Sequence, residues 1–417
     1  MSVPNLRHLQ AFHEVMAAGS ISAASLRMHL TQSAVTQAIA AIERYFNAPL
    51  FTRSPYGMHP TPAGTVCAAR VERALAQLRD GIQELAGSEV SAARREQLFR
   101  RISAPQLSSL IKLVEFRNFT HAARATGVSQ PTMHRAARTL ERALDARLFE
   151  KTSHGVVPTR EAEKLSRRAH LAFVEIAQAR ADIDALEGRE SGRTVIGSMP
   201  LARSFLIPNA LIRFTREHAE HAVSIMEGTY EHLLAALQSG QADFLVGALR
   251  DIRVNGGIVQ EHLFDDPLSI VVGAGHPLAK KRKLSATDLT GHPWIAPRAT
   301  SPLKTHFEAL FKDLGIEPPQ RFIECNSLGA ARALLMSGDH MMLSSTNQVH
   351  YELQAGMLVC LPHPGGRVVR KIGLTVRDDW RPTQAQARLL AIVRETANRL
   401  EHQEAERPHA APLSRPG

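Results

Sequence analysis

The sequence predicts a multidomain fold: two all-α-dominated winged helix-turn-helix domains, each followed by a long linker helix, and then a two-lobed α/β domain. Three observations carry that expectation. The chain repeats itself at a spacing of 98 residues. Each copy places apolar residues at the helical period. From about Gly192 onward, short apolar runs alternate with amphipathic segments. At 417 residues the chain is too long for one ordinary core, and 44% hydrophobic residues are enough to build several.

The repeat pairs Leu9 with Leu107, Ala24 with Ala122, Gln32 with Gln130, Glu43 with Glu141, Leu50-Phe51 with Leu148-Phe149, and Pro60-Thr61 with Pro158-Thr159, without a gap. Two copies with a long spacer indicate a duplicated domain rather than a solenoid. Each copy reads as helix, helix, turn, helix and short hairpin. Val35, Ile39, Ile42 and Phe46 form one stripe of the third helix, and Met133, Ala137, Leu140 and Leu144 form its twin. Thr31 and Ser129 suit the N-cap, and Pro131 the first turn. Long helices are expected from Pro62 to about Leu85 and from Arg160 to about Leu186, with Ser88–Ile102 as a charged connector. The expected boundaries are 1–64 and 103–160 for the winged units, 65–102 and 161–190 for the linkers, 191–400 for the α/β domain and 401–417 for a disordered tail.

The net charge of +10 is uneven. Residues 1–190 hold 25 Lys and Arg against 18 Asp and Glu, a net +7, which is the footprint of a surface that meets phosphates. Cys67, Cys325 and Cys360 are too scattered for a disulfide framework or a Cys-x-x-Cys site. There is no apolar leader at the N-terminus and no run of about 18 apolar residues. A soluble, cytoplasmic protein with no membrane partner is expected.

A helix-turn-helix reads DNA by laying its last helix in the major groove and presenting that helix's N-terminal side chains to base edges. In copy one these are Gln32, Ser33, Thr36 and Gln37. In copy two they are Gln130, Pro131, His134 and Arg135, followed by Arg138. Gln suits adenine and Arg suits guanine. Arg53 and Lys151 stand in the hairpins, placed for backbone phosphates.

Gly19–Gly64 and Asn118–Thr159 resemble the winged DNA-binding domain of LysR-type transcriptional regulators. The resemblance rests on Ala24-Ser25 and Ala122-Ala123, on Ser129-Gln130-Pro131, on Leu140-Glu141, and on the Leu-Phe-x-Arg/Lys hairpins. Copy one departs mildly, with Thr31-Gln32-Ser33 and Ile42-Glu43. "HPLA" (His276–Ala279), Leu233–Leu249 and Ser327–Ser345 resemble the family's effector domain. The family normally carries one winged unit, so the tandem pair is the large departure. The resemblance implies double-stranded DNA and a small-molecule effector as partners, homodimers or homotetramers, and RNA polymerase as a further contact. In the family the long helix pairs with its mate in a second subunit. Here two such helices share one chain: they could pack on each other within it, the alternatives being like copies paired between chains or one copy kept as a spacer.

The α/β half, with expected parallel strands, resembles a two-lobed periplasmic-binding-protein-like fold. Its lobes would be 192–264 with 366–400, and 265–365, with crossings near Asp265 and Pro362. Ligands of such folds sit between the lobes at strand ends and helix N-termini, which favour anions. The candidate effector contacts are Ser198, Met199, Thr229, Gly247, Thr300, Ser301 and Ser327. His218-x-x-His221 lacks a third ligand at metal-site spacing, so no metal is expected. No cofactor-binding loop or nucleophile elbow is present, so neither a cofactor nor an enzyme is expected. The rival readings are a solute-binding module without regulation and an enzyme on the α/β fold.

Overall fold

Helix boundaries in the N-terminal half are set by side chains that accept the first free backbone N–H groups. Asn5, Ser20 and Thr31 cap α1 (Leu6–Ala18), α2 (Ile21–Met28) and α3 (Gln32–Phe46). In the second copy α6 (Ala104–Phe116) opens with Gln106 Oε1 accepting from Ser103 N at 2.8 Å, and Asn118 and Ser129 cap α7 (Phe119–Thr126) and α8 (Gln130–Leu144). Each such cap stabilises its helix by about 1 kcal/mol. The structure is a computed structural model. It describes residues 3–406 apart from 55–56, 88, 153–154, 200–201, 203, 251–256, 300 and 326, and apart from the side chains of 151 and 403–406.

Both apolar stripes are buried as the periodicity predicts. Each third helix is followed by a two-stranded wing, β1 (Phe51–Ser54) with β2 (Gly57–Pro60) and β3 (Phe149–Thr152) with β4 (Gly155–Pro158). The glutamate repeated in the two copies clamps the entry to the wing. Glu43 Oε1 accepts from Leu50 N at 2.9 Å and Phe51 N at 3.3 Å, and Glu141 Oε1 accepts from Leu148 N at 3.0 Å and Phe149 N at 3.2 Å.

The long helices are α4 (Pro62–Ala86) and α9 (Arg160–Leu186), capped by Thr61 and Thr159. They lie antiparallel against each other within the chain. Gly81 marks a close approach, where a Cβ would stand 2.9 Å from Arg168 Cβ and 3.0 Å from Leu165 Cδ1. Arg70 Nη1 donates to Glu175 (3.0 Å) and Gln178 (2.8 Å), and its Nε donates to Asp182 (2.8 Å). Arg168 Nη1 donates to Gln77 (2.8 Å) and lies 3.7 Å from Asp80, while its Nε donates to Glu84 (3.0 Å). Arg70 and Arg168 stand 98 residues apart, as do Gln77 and Glu175, Asp80 and Gln178, and Glu84 and Asp182. Each contact of Arg70 on α9 thus recurs as a contact of Arg168 on α4, which places a pseudo-two-fold axis between α4 and α9. One apolar core runs unbroken from Leu6 to Ile183 through both copies.

The segment read as a charged connector contains a helix, α5 (Ala92–Arg101), that buries Leu98 and Phe99. Phe99 packs beneath the Arg79 guanidinium, 5.1 Å from its ring centre. The charges of Arg94, Arg95 and Arg100 mask this inward face in the sequence.

The C-terminal half carries β5 (Arg193–Ser198), α10 (Leu206–Glu217), β6 (Ala222–Glu227), α11 (Tyr230–Gln238), β7 (Phe244–Ala248), β8 (Ile258–Gly273) and α12 (Ala286–Thr290). β9 (Trp294–Ala296), α13 (Pro302–Lys312), β10 (Phe322–Glu324), α14 (Leu328–Ser337), β11 (Met341–Ser345), α15 (His350–Gln354), β12 (Leu358–Leu361), β13 (Val369–Arg377) and α16 (Gln384–Glu406) follow. The strand order is β10-β9-β11-β8-β13-β7-β5-β6, with β12 also on β8. The expected parallel sheet is mixed instead. β5 runs parallel to β6 and β7, and β9 to β10 and β11, but β8 and β13 run antiparallel to their neighbours. The reason is connectivity: the chain changes lobe twice, and the two crossing strands pair with each other. β8 crosses at Asp265–Asp266, as predicted. The return lies at Val369–Lys371 on β13, some residues past the predicted Pro362. Each lobe has its own core, around Phe214, Phe244 and Trp380 in one and around Trp294, Phe307 and Phe311 in the other. α16 continues to Glu406, so the first residues of the expected tail are helical. Residues 407–417 lie outside the described residues.

Candidate nucleic-acid face and effector cleft

On α3, Gln32, Ser33 and Gln37 are exposed and Thr36 is half-buried. Gln32 Nε2 donates to Ser22 Oγ at 2.8 Å, Ser33 Oγ lies 3.0 Å from Thr31 Oγ1, and Thr36 Oγ1 donates to Gln32 O at 2.8 Å. Gln37 is therefore the freest reader of copy one. On α8, Gln130, Pro131, Arg135 and Arg138 are exposed. His134, expected to face bases, is half-buried and stacked on Phe119, with ring centres 3.6 Å apart, so one face of the imidazole is occupied. Arg53 is exposed on β1; the Lys151 side chain lies outside the described residues.

Between the lobes is a cavity of about 130 Å³. Of the predicted contacts, Met199, Ser301 and Ser327 line it. Ser301 and Ser327 are the N-caps of α13 and α14, accepting from Leu303 N at 3.3 Å and Ala330 N at 3.4 Å, so two positive helix ends meet there. Three predicted contacts lie elsewhere. Ser198 is buried, its hydroxyl donating to Met199 O at 3.4 Å. Thr229 is exposed and caps α11 through His232 N. Gly247 is covered by Met199, whose Cε would stand 2.4 Å from a Cβ at that position. Thr300 lies outside the described residues.

Sequence reasoning missed Arg370 and Ser344, which line the same cavity. Arg370 Nη2 donates to Asp266 Oδ2 at 2.8 Å, and the fully buried Asp266 also accepts from Ser345 Oγ and from Asn347 Nδ2 at 3.1 Å. The guanidinium is thus held at the lobe crossing. Among the described residues its Nε and the Ser344 hydroxyl are buried without a hydrogen-bond partner. An unsatisfied buried donor costs about 1–3 kcal/mol, which an incoming acceptor recovers.

The effector half sits on the helix pair. Arg70 Nη1 donates to Arg381 O (2.8 Å), Arg73 Nη2 to Asp379 O (2.5 Å) and Gln77 Nε2 to Asp379 Oδ2 (2.9 Å). On α9, His170 Nδ1 lies 2.8 Å from Ser239 O, and burial holds its pKa below the usual imidazole value. His218 and His221 take separate partners: His218 Nδ1 lies 2.8 Å from Glu190 and His221 Nε2 lies 2.8 Å from Thr194 Oγ1. Among the described residues no helix is long and apolar enough to cross a membrane.

Comparison with known proteins matches residues 187–398 to the LysR substrate binding domain, and residues 6–65 and 105–163, separately, to the bacterial regulatory helix-turn-helix protein of the lysR family. The chain belongs to the LysR family. Its relatives include the HTH-type transcriptional regulator GalR of Pseudomonas putida, 33% identical over 95% of this chain and 98% of that protein. PcaQ of Agrobacterium fabrum is 28% identical over 72% of this chain and 97% of its own length. The part of this chain left outside the PcaQ match is about the size of one winged unit with its helix. In fold, the chain is similar to full-length OxyR from Pseudomonas aeruginosa (TM-score 0.53, 19% identity, 71% of this chain and 95% of that one) and to CbnR (TM-score 0.51, 23%, 71% and 99%). This LysR-family protein is a transcriptional regulator. It binds DNA through helix-turn-helix units and an effector through its substrate-binding domain.

Proposed function

We propose that the effector is a small anion held between the lobes by Ser301, Ser327, Ser344 and Arg370 against the wall formed by Met199. The observation that carries this reading is the pair of buried donors, Arg370 Nε and Ser344 Oγ, that have no hydrogen-bond partner among the described residues, in a cavity that two helix N-termini also face. The separate cores and the double crossing of β8 and β13 support a two-lobed periplasmic-binding-protein-like domain. Closure of the lobes would shift the Asp379–Arg381 segment on α4 and the Ser239 segment on α9, which hold both linker helices, and so bias how the readers stand on a promoter. Gln32, Gln37, Gln130, Arg135 and Arg138 would face bases or phosphates, with Arg53 on a phosphate.

A thermal-shift screen of small aliphatic and aromatic carboxylates tests the cleft. A binding carboxylate raises the melting temperature of the wild-type protein, and Ser344→Ala weakens that ligand by about 10-fold, equivalent to one buried hydrogen bond. Failure of every carboxylate, or unchanged affinity in Ser344→Ala, would remove the anion from this site.

A further inference from the structure

We propose that one chain carries a complete DNA-reading head with unlike halves, so that a single copy recognises a two-part operator whose inverted halves differ in sequence. The inference rests on α3 and α8 being the DNA-facing helices, and it concerns how the two are combined. Three observations carry it. The pseudo-two-fold axis lies inside the chain, because each partner of Arg70 on α9 corresponds by the 98-residue offset to a partner of Arg168 on α4. The two units and their helices share one unbroken core, so the pair is built during folding rather than by association of two chains. The reading helices related by this axis are not equivalent: Gln37 corresponds to Arg135 and Ala40 to Arg138, all four exposed.

A reader pair related by a two-fold axis matches the dyad of duplex DNA and therefore presents its helices to inverted half-sites. Identical readers require identical halves. Here the glutamine side chain can pair with the N6 and N7 edge of adenine, while the guanidinium at the equivalent place pairs with O6 and N7 of guanine. The halves recognised must then differ at the base these two positions face. Arg138 adds a positive charge to the second half alone, so that half holds the phosphates more tightly.

Selection of bound duplexes from a randomised pool by the full-length protein tests this, repeated with Gln37→Arg and Arg135→Gln. Both positions are exposed, so neither variant disturbs the core. The expected site has two inverted, unlike halves. Gln37→Arg shifts one position of one half towards guanine by about 5- to 150-fold, and Arg135→Gln shifts the other half alone towards adenine. Identical halves, or a single substitution altering both halves, would overturn the proposal, because like copies would then be pairing between chains. Selection of no sequence at all would instead remove α3 and α8 from the DNA, and the proposal with them.

Discussion

Replacing Arg70 with alanine tests the helix pair, and the pseudo-symmetry supplies an internal control in Arg168→Ala. The Arg70 side chain is 7% exposed, Glu175 is 9% and Asp182 is 18%. Removing one member of a buried ion cluster costs about 3–5 kcal/mol, mainly from the charge left behind. Glu175 keeps Arg73, whose Nε and Nη2 donate to it at 3.0 and 2.7 Å, so Asp182 is the group orphaned and the lower end applies, about 3 kcal/mol. Arg168 makes the corresponding contacts in water: its side chain is 29% exposed, that of Glu84 is 34% and that of Asp80 is 54%. Screening limits its loss to about 1 kcal/mol. For a unit of this size each kcal/mol moves the melting temperature by about 2–4 °C, so calorimetry of the full-length protein should show the head transition fall by roughly 6–12 °C for Arg70→Ala and roughly 2–4 °C for Arg168→Ala. Burial already raises the Asp182 pKa while Arg70 lowers it. Without Arg70 the carboxyl takes up a proton more readily, so the deficit should shrink as the buffer is acidified, and adding Asp182→Asn should recover part of it. Equal shifts for the two arginines would refute the reasoning that burial, not contact number, sets the cost.

The other expectations concern register, titration and DNA. Gly81→Val forces a branched side chain into a close approach of α4 and α9 and should cost about 1–3 kcal/mol by urea denaturation; an unchanged midpoint would mean the helices do not meet there. Burial raises the Asp243 pKa from 3.8 to about 6, so this group's contribution to stability is complete below pH ~4 and is lost as pH rises through about 6. Asp243→Asn keeps an acceptor for Val195 N and removes the titration. Its stability relative to wild type should therefore rise by on the order of 3 kcal/mol between pH 4 and 7, and a flat difference would contradict the assignment. In DNA binding, Arg135→Ala should lose about 1–3 kcal/mol on the specific site, whereas Arg53→Ala should weaken all sequences alike and flatten the salt dependence by about one unit of slope. The reverse pattern in a salt titration would exchange their roles.

Much of the head was legible because its determinants are local. Thr31 and Ser129 cap the helices they were expected to cap, and the four-residue stripes of α3 and α8 face inward, since a cap and a period act within a few residues of themselves. The cleft was legible only in part, for the same reason. Ser301 and Ser327 announced themselves as caps. Arg370 did not, because it depends on Asp266, more than one hundred residues earlier. Gly247 was a candidate contact and is closed by Met199, a side chain on another strand end.

By itself, then, the sequence determined that the chain repeats, which helices each copy forms, which faces they bury and which side chains a reading helix would show. Tertiary structure alone decided that α4 lies on α9 of the same chain, in the register that sets Arg70 against Asp182 and Arg168 against Glu84. It also decided that β8 and β13 cross side by side and set Arg370 against Asp266. Capping and periodicity are set by neighbours along the chain. The partner of a buried charge is set by which distant segment excludes water from it, and that is settled only when the segments pack.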